Sequence, residues 1–138
     1  MAISARNKIP ERVVDIKSGE AMCLVTLDAQ GTKIVAAVTN QGVEELSLKQ
    51  NDQVTAVIKS TEVMLMKGGG QIALSARNRF AGQIESIQKG EAMGLVTVKK
   101  GQFHLGAAIT REAIDEMGLK QGDQVTAVVK ATEVMLMK

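Results

Sequence analysis

The chain has 138 residues, of which 45% are hydrophobic and 23% are charged, and its formal net charge at pH 7 is +2. This composition is typical of a folded globular protein and excludes a disordered or fibrous chain. Acidic and basic residues are interspersed, so no basic stripe is present to neutralise many phosphates, and no apolar run is long enough to span a bilayer. We therefore expect neither bulk nucleic-acid binding nor a membrane span.

The sequence contains two copies of one module. Ser4-Ala5-Arg6-Asn7 returns as Ser75-Ala76-Arg77-Asn78, an offset of 71 residues. At this offset Ile3–Lys67 aligns with Leu74–Lys138 without a gap, and 33 of the 65 aligned pairs are identical. We predict two domains, residues 1–67 and 74–138, joined by a short glycine-rich linker at 68–73. A module of this size buries only about 60% of its unfolded surface, so we expect the modules to pack together or to oligomerise.

The first part of each module reads as short strands separated by turns. Arg12–Lys17 and Glu20–Asp28 are rich in β-forming residues and flank Ser18-Gly19, which predicts a hairpin. A turn at Ala29-Gln30-Gly31 leads to a third strand over Thr32–Val38.

A short helix follows the third strand. Val43, Leu46 and Leu48 no longer alternate with polar residues, and Thr39, or Thr110 in the second copy, is placed to cap the helix. The period of the apolar residues therefore changes from that of a strand to that of a helix.

Two further strands complete the module. Gly122 marks a turn that needs a positive φ, Val54–Ile58 alternates as a strand, and Val63–Met66 is a final apolar strand. The pattern predicts an all-β fold with one short helix per repeat, in which five strands form a small closed or partly open barrel of the OB type. The whole chain then contains two such domains in tandem.

Several parts of each copy together resemble the Mop domain of the molbindins. They are the Ser-Ala-Arg-Asn segment, the threonine that opens the helix, and the tail Val-Thr-Ala-Val-(Ile/Val)-Lys-(Ser/Ala)-Thr-Glu-Val-Met-Leu-Met. The resemblance covers essentially the whole chain, twice, and is closest to the tandem-domain type. It implies a cytoplasmic protein that binds molybdate and tungstate, needs no organic cofactor, and associates with itself, which we expect to give a homotrimer of tandem chains. The same domain also occurs in molybdate-responsive regulators and in molybdate importer ATPases.

The resemblance also implies a set of binding residues. In the family the oxyanion lies at an interface between domains, without direct bonds from protein to metal. One side is formed by the Ser-Ala-Arg segment and the lysine of the long tail strand, here Ser4, Ala5, Arg6 and Lys59, and Ser75, Ala76, Arg77 and Lys130. The partner domain supplies the helix-opening threonine, the residue three positions later and the residue after the lysine, here Thr39, Gly42 and Ser60, and Thr110, Ala113 and Ala131.

These residue types suit the chemistry of the ligand. Molybdate is a tetrahedral dianion without a proton to donate near neutral pH, so a good site offers only donors. Arginine and lysine supply charge and N–H groups, serine and threonine supply hydroxyls, and a helix N-terminus presents free amides. None of the implied positions is acidic.

Plainer interpretations remain for several of these residues. Thr39 and Thr110 fit ordinary N-caps, and Lys59 fits a solvated lysine. The alternating methionines, Met64 with Met66 and Met135 with Met137, are more typical of packing than of a copper site.

Two single residues also have simple interpretations. Cys23, replaced by Gly94, is predicted to be a small buried residue, and His104 a surface residue.

Other classes of function have little support in the sequence. Catalysis needs a nucleophile with a base, or a metal, and the single Cys and single His are not repeated, so we expect no enzyme. An OB-type nucleic-acid module relies on aromatic stacking, but Phe80 and Phe103 are the only aromatic residues. A third alternative is the effector-sensing module of a regulator or transporter. No winged-helix segment precedes Ser4, which favours a free-standing storage or buffering protein.

Overall fold

The computed structural model describes residues 3–67 and 74–138, so the predicted linker at 68–73 lies outside the described residues. Both copies contain the same elements in the same order, with a 3-10 turn before each last strand. The first copy contains β1 (Asn7–Ser18), β2 (Met22–Ala29), β3 (Thr32–Thr39), α1 (Asn40–Glu45), β4 (Gln53–Ile58), the turn Ser60–Glu62 and β5 (Met64–Lys67). The second contains β6 (Asn78–Lys89), β7 (Met93–Lys100), β8 (Phe103–Thr110), α2 (Arg111–Met117), β9 (Gln124–Val129), the turn Ala131–Glu133 and β10 (Met135–Met137).

The first strand is longer than the sequence predicted, because β1 begins at Asn7 rather than at Arg12. Residues from Asn7 to Arg12 pair with β4. Those from Arg12 to Ser18 pair with β2, with a register shift between Val13 and Asp15. Buried and exposed residues alternate from the start of β1, but two of the buried ones, Asn7 and Glu11, are polar. Because Asn7 and Glu11 are polar, the sequence lacks the alternation of apolar and polar residues that marks a strand, and the start of β1 was not predicted.

Each sheet has five strands, one of which comes from the other copy. The strand orders are β10-β4-β1-β2-β3 and β5-β9-β6-β7-β8. The compact units therefore differ from the predicted division at 1–67, 68–73 and 74–138, which marks the copies in the sequence. Unit 1 contains the described residues up to Ile58 together with Lys130–Lys138, and unit 2 contains those from Lys59 to Val129.

The exchange is possible because the two tails are nearly the same. Met135 pairs with Val57 in unit 1, and Met64 pairs with Val128 in unit 2. Since each last strand meets an almost identical neighbour in either copy, exchange costs no side-chain complementarity. Each unit has the predicted OB-like architecture, in which a curled five-stranded sheet is accompanied by one short helix.

Apolar residues on the inner face of each sheet form its core. In unit 1 the core includes Val13, Val25 and Ile34, and in unit 2 a cluster around Ile84 and Val96. These side chains come from neighbouring strands, and their burial is the main apolar contribution to the stability of each unit. Among the described residues no helix combines the length and the apolar character needed to cross a membrane.

The predicted buried role of Cys23 is confirmed. Its side chain is 3% exposed, and its thiol donates to Asn40 Oδ1 at 2.9 Å. In unit 2 the Cδ1 atom of Ile114 lies 2.4 Å from the place that a Cβ on Gly94 would take. A larger isoleucine therefore fills the space that the cysteine fills in unit 1.

The helix caps also follow the sequence prediction. Thr39 Oγ1 accepts from the Gly42 amide, and Thr110 Oγ1 accepts from the Ala113 amide, both at 3.0 Å. Gly122 has a φ of 91°, as expected for its turn. Each helix therefore begins at a defined residue, which fixes where the threonine side chain lies.

The exchanged strands are fastened to the helix ends by lysines. Lys67 Nζ donates to the carbonyls of Met117 and Gly118 at 3.0 Å and pairs with Asp123 at 3.2 Å. Lys138 makes the equivalent contacts in unit 1, where it donates to the Ser47 carbonyl at 3.0 Å and pairs with Asp52 at 2.9 Å. We call each of these sets of contacts a lysine clasp.

Candidate functional site

The Ser-Ala-Arg segment of the first copy alternates between exposed and buried residues. Ser4 and Arg6 are exposed, whereas Ala5 is buried and anchors the segment. Asn7 pairs with Ile58 in the β1–β4 ladder, and Lys59 follows Ile58 directly. Asn7 and Ile58 are therefore paired, and Arg6 precedes the first of them in the sequence while Lys59 follows the second.

The second copy repeats this arrangement. Ser75 and Arg77 are exposed and Ala76 is buried. Asn78 pairs with Val129, which is followed directly by Lys130. Both copies therefore keep the predicted serine, arginine and lysine at corresponding places in the fold.

The arginines of these segments differ from the other arginines of the chain. Arg12 donates to Asn51 at 2.9 Å, Arg79 to the Leu74 carbonyl, and Arg111 to Asp115 at 3.2 Å. By contrast, the side chains of Arg6 and Arg77 make no hydrogen bond or ion pair within residues 3–67 and 74–138. A guanidinium carries five N–H donors, so both side chains are available to an anion.

The threonine of each copy lies in a cleft that the exchanged strand completes. In unit 1 a cleft of about 400 Å³ is bordered by Thr39 and Gly42 on one side and by Thr132 and Met135 on the other. Its counterpart in unit 2 has a volume of about 340 Å³. The matching lining residues there include Thr110, Ala113, Thr61 and Met64.

Strand exchange places one predicted residue of each copy, Ser60 or Ala131, in the unit formed mainly by the other copy. The sequence placed Ser60 with Thr39 and Gly42, but the turn that begins at Ser60 packs against β8, the strand that ends at Thr110. The turn that begins at Ala131 packs against β3 instead. The serine hydroxyl therefore lies in the unit that contains Thr110, and the Thr39 side has only an alanine at this position.

The amides at the helix start are less available than the sequence suggested. The Gly42 amide donates to Thr39 Oγ1 at 3.0 Å, and the Asn40 amide donates to the Ala21 carbonyl at 2.9 Å. Because Thr39 Oγ1 accepts one bond, its own proton can still be donated. The Thr39 hydroxyl is thus one donor that the structure offers here.

Sequence reasoning missed two residues beside these sites. Glu45 borders the cleft of unit 1, and Arg79 borders a cleft of about 550 Å³ around Ser75 and Arg77. The signal for Arg79 was present, because it continues the alternation of Ser75 and Arg77. Glu45 lies on the helix three residues after Gly42, a spacing that places both on one face.

Groups of metal-ligating side chains and the alternating methionines were compared with the two clefts. Over the described parts of the chain, no group of three or more His, Cys, Asp or Glu residues could hold a metal ion. Met64 and Met135 are exposed and border the clefts, whereas Met66 and Met137 are half-buried. His104 is a surface residue, as predicted, and its Nδ1 lies 2.8 Å from Glu85 Oε2.

The architecture defines a class of protein, a tandem of OB-like domains that each carry one short helix. The chain belongs to the TOBE domain family, whose model matches residues 3–65 and 74–136. The predicted resemblance to the tandem-domain molbindins is confirmed by this double match together with the relatives described next.

Several named proteins are similar to this chain. The molybdenum transport protein ModE of Herbaspirillum seropedicae is 34% identical over 138 residues, which are 99% of this chain and 51% of that protein. The molybdenum-pterin-binding protein MopA of Rhodobacter capsulatus is 30% identical over 138 residues, 99% of this chain and 52% of that protein. The chain thus spans about half the length of these two relatives.

One solved structure matches over its whole length. The cytoplasmic molybdate-binding protein ModG, in a crystal form with molybdate bound, is 35% identical to this chain. The TM-score is 0.94, and the match covers 99% of both chains. The similarity therefore covers both repeats.

Proposed function

We propose that this chain binds molybdate, and tungstate in the same sites, and that it stores or buffers the oxyanion in the cytoplasm. The observation that carries the proposal is the pair of exposed arginines, Arg6 and Arg77, that have no partner among the described residues. The similarity to a protein solved with molybdate bound supports the choice of ligand. No catalytic step belongs to this function.

The binding chemistry follows from charge compensation. A dianion that leaves water needs opposing charge and donors, and charge-assisted hydrogen bonds are about twice as strong as neutral ones. Ser4, Arg6 and Lys59 supply a hydroxyl, a guanidinium and an ammonium, and Ser75, Arg77 and Lys130 supply the same set. In this proposal a domain of another chain completes each site with its threonine, so that the working form is a trimer of tandem chains.

Anion selectivity provides the test of this function. Calorimetric titration of the purified protein with molybdate, tungstate, sulfate and phosphate should show tight binding of the first two only. Metal analysis of the protein as purified should find molybdenum or tungsten. Sulfate binding as tight as molybdate binding would contradict the proposal.

The second candidate function is that of an anion-sensing module. It is favoured by the match to ModE, because this chain corresponds to only 51% of that longer protein. Deletion of the gene separates the two functions. Storage predicts that the deletion lowers the molybdenum content of cells grown under molybdate limitation. Sensing predicts that the deletion alters expression of the molybdate importer and leaves the capacity of the cells to hold molybdate unchanged.

A further inference from the structure

An exposed aliphatic side chain precedes each Ser-Ala-Arg segment. Ile3 comes directly before Ser4 and is 37% exposed, and Leu74 comes directly before Ser75 and is 41% exposed. Neither side chain lines the cleft around the threonine of its own unit. A single exposed aliphatic residue needs no explanation. Here it recurs at the same position of both copies, next to the segment that the proposed function brings to a second chain.

The clefts around Thr39 and Thr110, the threonine clefts, have apolar walls that face solvent. The cleft of unit 1, of about 400 Å³, is bordered by Leu46 and Met135, and the cleft of unit 2, of about 340 Å³, by Met64. Met135 and Met64 are exposed. Because methionine is flexible, it adapts its shape to a partner. Each cleft thus offers an adaptable apolar surface that the described residues of a single chain leave open.

The proposed binding site brings these two surfaces together. In it the Ser-Ala-Arg segment of one chain lies against the threonine of another, and Thr39 and Thr110 each line a threonine cleft. Consecutive Cα atoms are about 3.8 Å apart, so the residue before the serine lies at the edge of the same cleft. The aliphatic side chain can therefore enter the cleft while the serine and the arginine remain beside the threonine.

Charge complementarity favours the same pairing at the cleft of unit 1. Glu45 borders this cleft, and its Oε1 accepts from Gln41 Nε2 at 3.1 Å. Arg6 follows Ile3 by three residues, and its guanidinium has no partner within the described residues. Since a guanidinium carries five N–H donors, it can hold an anion and also meet the carboxylate. A segment that carries a cation close to an aliphatic side chain therefore suits this cleft.

We propose that Ile3 and Leu74 are apolar anchors, which dock into the threonine clefts of a second copy of this chain and so position each Ser-Ala-Arg segment for the anion. This inference rests on the proposed function, because that function takes the segment and the threonine from different chains. An aliphatic anchor in a pocket stabilises an interface by removing apolar surface from water. The anchors act by positioning and do not touch the anion, so assembly and anion affinity are coupled through them.

The first test compares the full parent chain with the double variant Ile3→Ser with Leu74→Ser. In sedimentation equilibrium, the assembly of the variant should dissociate at a protein concentration about tenfold higher or more, because the anchors no longer bury apolar surface. In calorimetric titration with sodium molybdate, the affinity should fall about tenfold or more. The conservative variant Ile3→Val with Leu74→Met should keep the parent's values in both measurements. Both anchors are exposed, so anion-free melting curves should show that the variants fold.

Cross-linking tests which surface the anchors occupy. Chains with Ile3→Cys are co-expressed with chains that carry Met135→Cys or Met64→Cys, and the complexes are treated with a short bifunctional maleimide. Cross-linked pairs of chains should form with at least one cleft position. They should not form with Lys100→Cys, an exposed position of β7. The parent, whose Cys23 is 3% exposed, controls for background reaction.

The outcomes separate this inference from the proposed function. A parent that binds no molybdate refutes the proposed function itself. If the parent binds molybdate but the double serine variant keeps its assembly and its affinity, the anchors do not dock and this inference alone is overturned. Cross-links that are absent, or that form as readily with Lys100→Cys as with the cleft positions, overturn it as well.

Discussion

Arg6 and Arg77 are the residues on which the proposed function depends most directly. The double change Arg6→Ala with Arg77→Ala should abolish the rise in melting temperature that molybdate causes. A ligand at 100 times its dissociation constant stabilises a fold by about 2.7 kcal/mol per site, so the shift in the parent is measurable. Each single change should cost roughly 2–4 kcal/mol of binding at the affected sites.

The matched control for this experiment is Arg12→Ala. It removes the same charge from β1, but its guanidinium is engaged by Asn51 at 2.9 Å. This variant should keep the full molybdate-induced shift. A full shift in the double variant would mean that Arg6 and Arg77 are ordinary surface residues.

Glu11 is a second residue with a distinct physical role, although it lies outside the candidate sites. Its side chain is 2% exposed, and within the described residues neither carboxylate oxygen has a hydrogen-bond partner. Burial, with a smaller contribution from the charge of Asp28, raises the pKa of Glu11 to about 8. Its counterpart is Gly82, where an added Cβ would lie 2.5 Å from the Lys99 carbonyl oxygen.

The raised pKa of Glu11 predicts a loss of stability as the pH rises from about 4.5 to about 8. Because the pKa is higher in the folded than in the unfolded state, the folded state is favoured below about pH 4.5, and that advantage declines until the pH passes about 8. Glu11→Gln should remove this dependence, so the parent should lose about 3 kcal/mol more than the variant between pH 6 and pH 9. Denaturant titrations at several pH values measure it, with exposed Glu44→Gln as the control. Parallel curves for parent and Glu11→Gln would show that the carboxyl is solvated.

Recurrence in both copies guided the prediction of Arg6 and Arg77, but it did not single out Glu45, which also recurs, as Glu116. Arg6 and Arg77 were found because the segment around them is repeated. Arg79 aligns with Lys8, and Glu11 aligns with Gly82. A comparison that looked for identical residues in the two copies therefore did not select Arg79 or Glu11. Their roles depend on a cleft and on burial, which only the folded chain shows.

At the scale of elements, the lysine clasps join each exchanged strand to a helix end. The side-chain hydrogen bond from Lys138 is the main cause that holds the pKa of Asp52 below its usual value. A lowered carboxyl pKa stabilises the fold above the unfolded pKa, and this stabilisation is lost as the pH falls through the folded pKa.

Replacement of a clasp lysine should therefore destabilise the protein in a pH-dependent way. Lys138→Met should lower the melting temperature at pH 7, and the difference from the parent should shrink as Asp52 becomes protonated in acid. Lys100→Met, which removes an exposed lysine of β7, is the control. If the two variants melt at the same temperature at pH 7, the clasp contributes nothing to stability.

The elements themselves were largely predictable, but their partners were not. Strands, turns and the helix start follow from local patterns such as the N-cap at Thr39. The partner strand of β5 does not follow from local patterns, since Gln53–Val57 and Gln124–Val128 have the same sequence. Nothing in the residues of β5 distinguishes β4 from β9, so the exchange was visible only in the structure.

At the scale of the whole molecule, we predict that the protein self-associates as a trimer. The modules are small, and both units expose large apolar side chains. These are Ile3, Met22, Met64, Leu74, Met93 and Met135, which are 37–45% exposed. Sedimentation equilibrium with and without molybdate measures the mass, and a monomer at micromolar concentration in both conditions would refute this prediction.

The strand exchange also sets an order of events during synthesis. When the first copy leaves the ribosome, its own last strand, β5, belongs to a sheet whose other strands have not yet been made. Unit 2 cannot close until β9 has emerged, and unit 1 waits longer, for β10. Contacts between residues so far apart in the chain form slowly, and the waiting sheets present open edges. Synthesis of the second copy thus completes both domains in turn, unit 2 first and unit 1 after it.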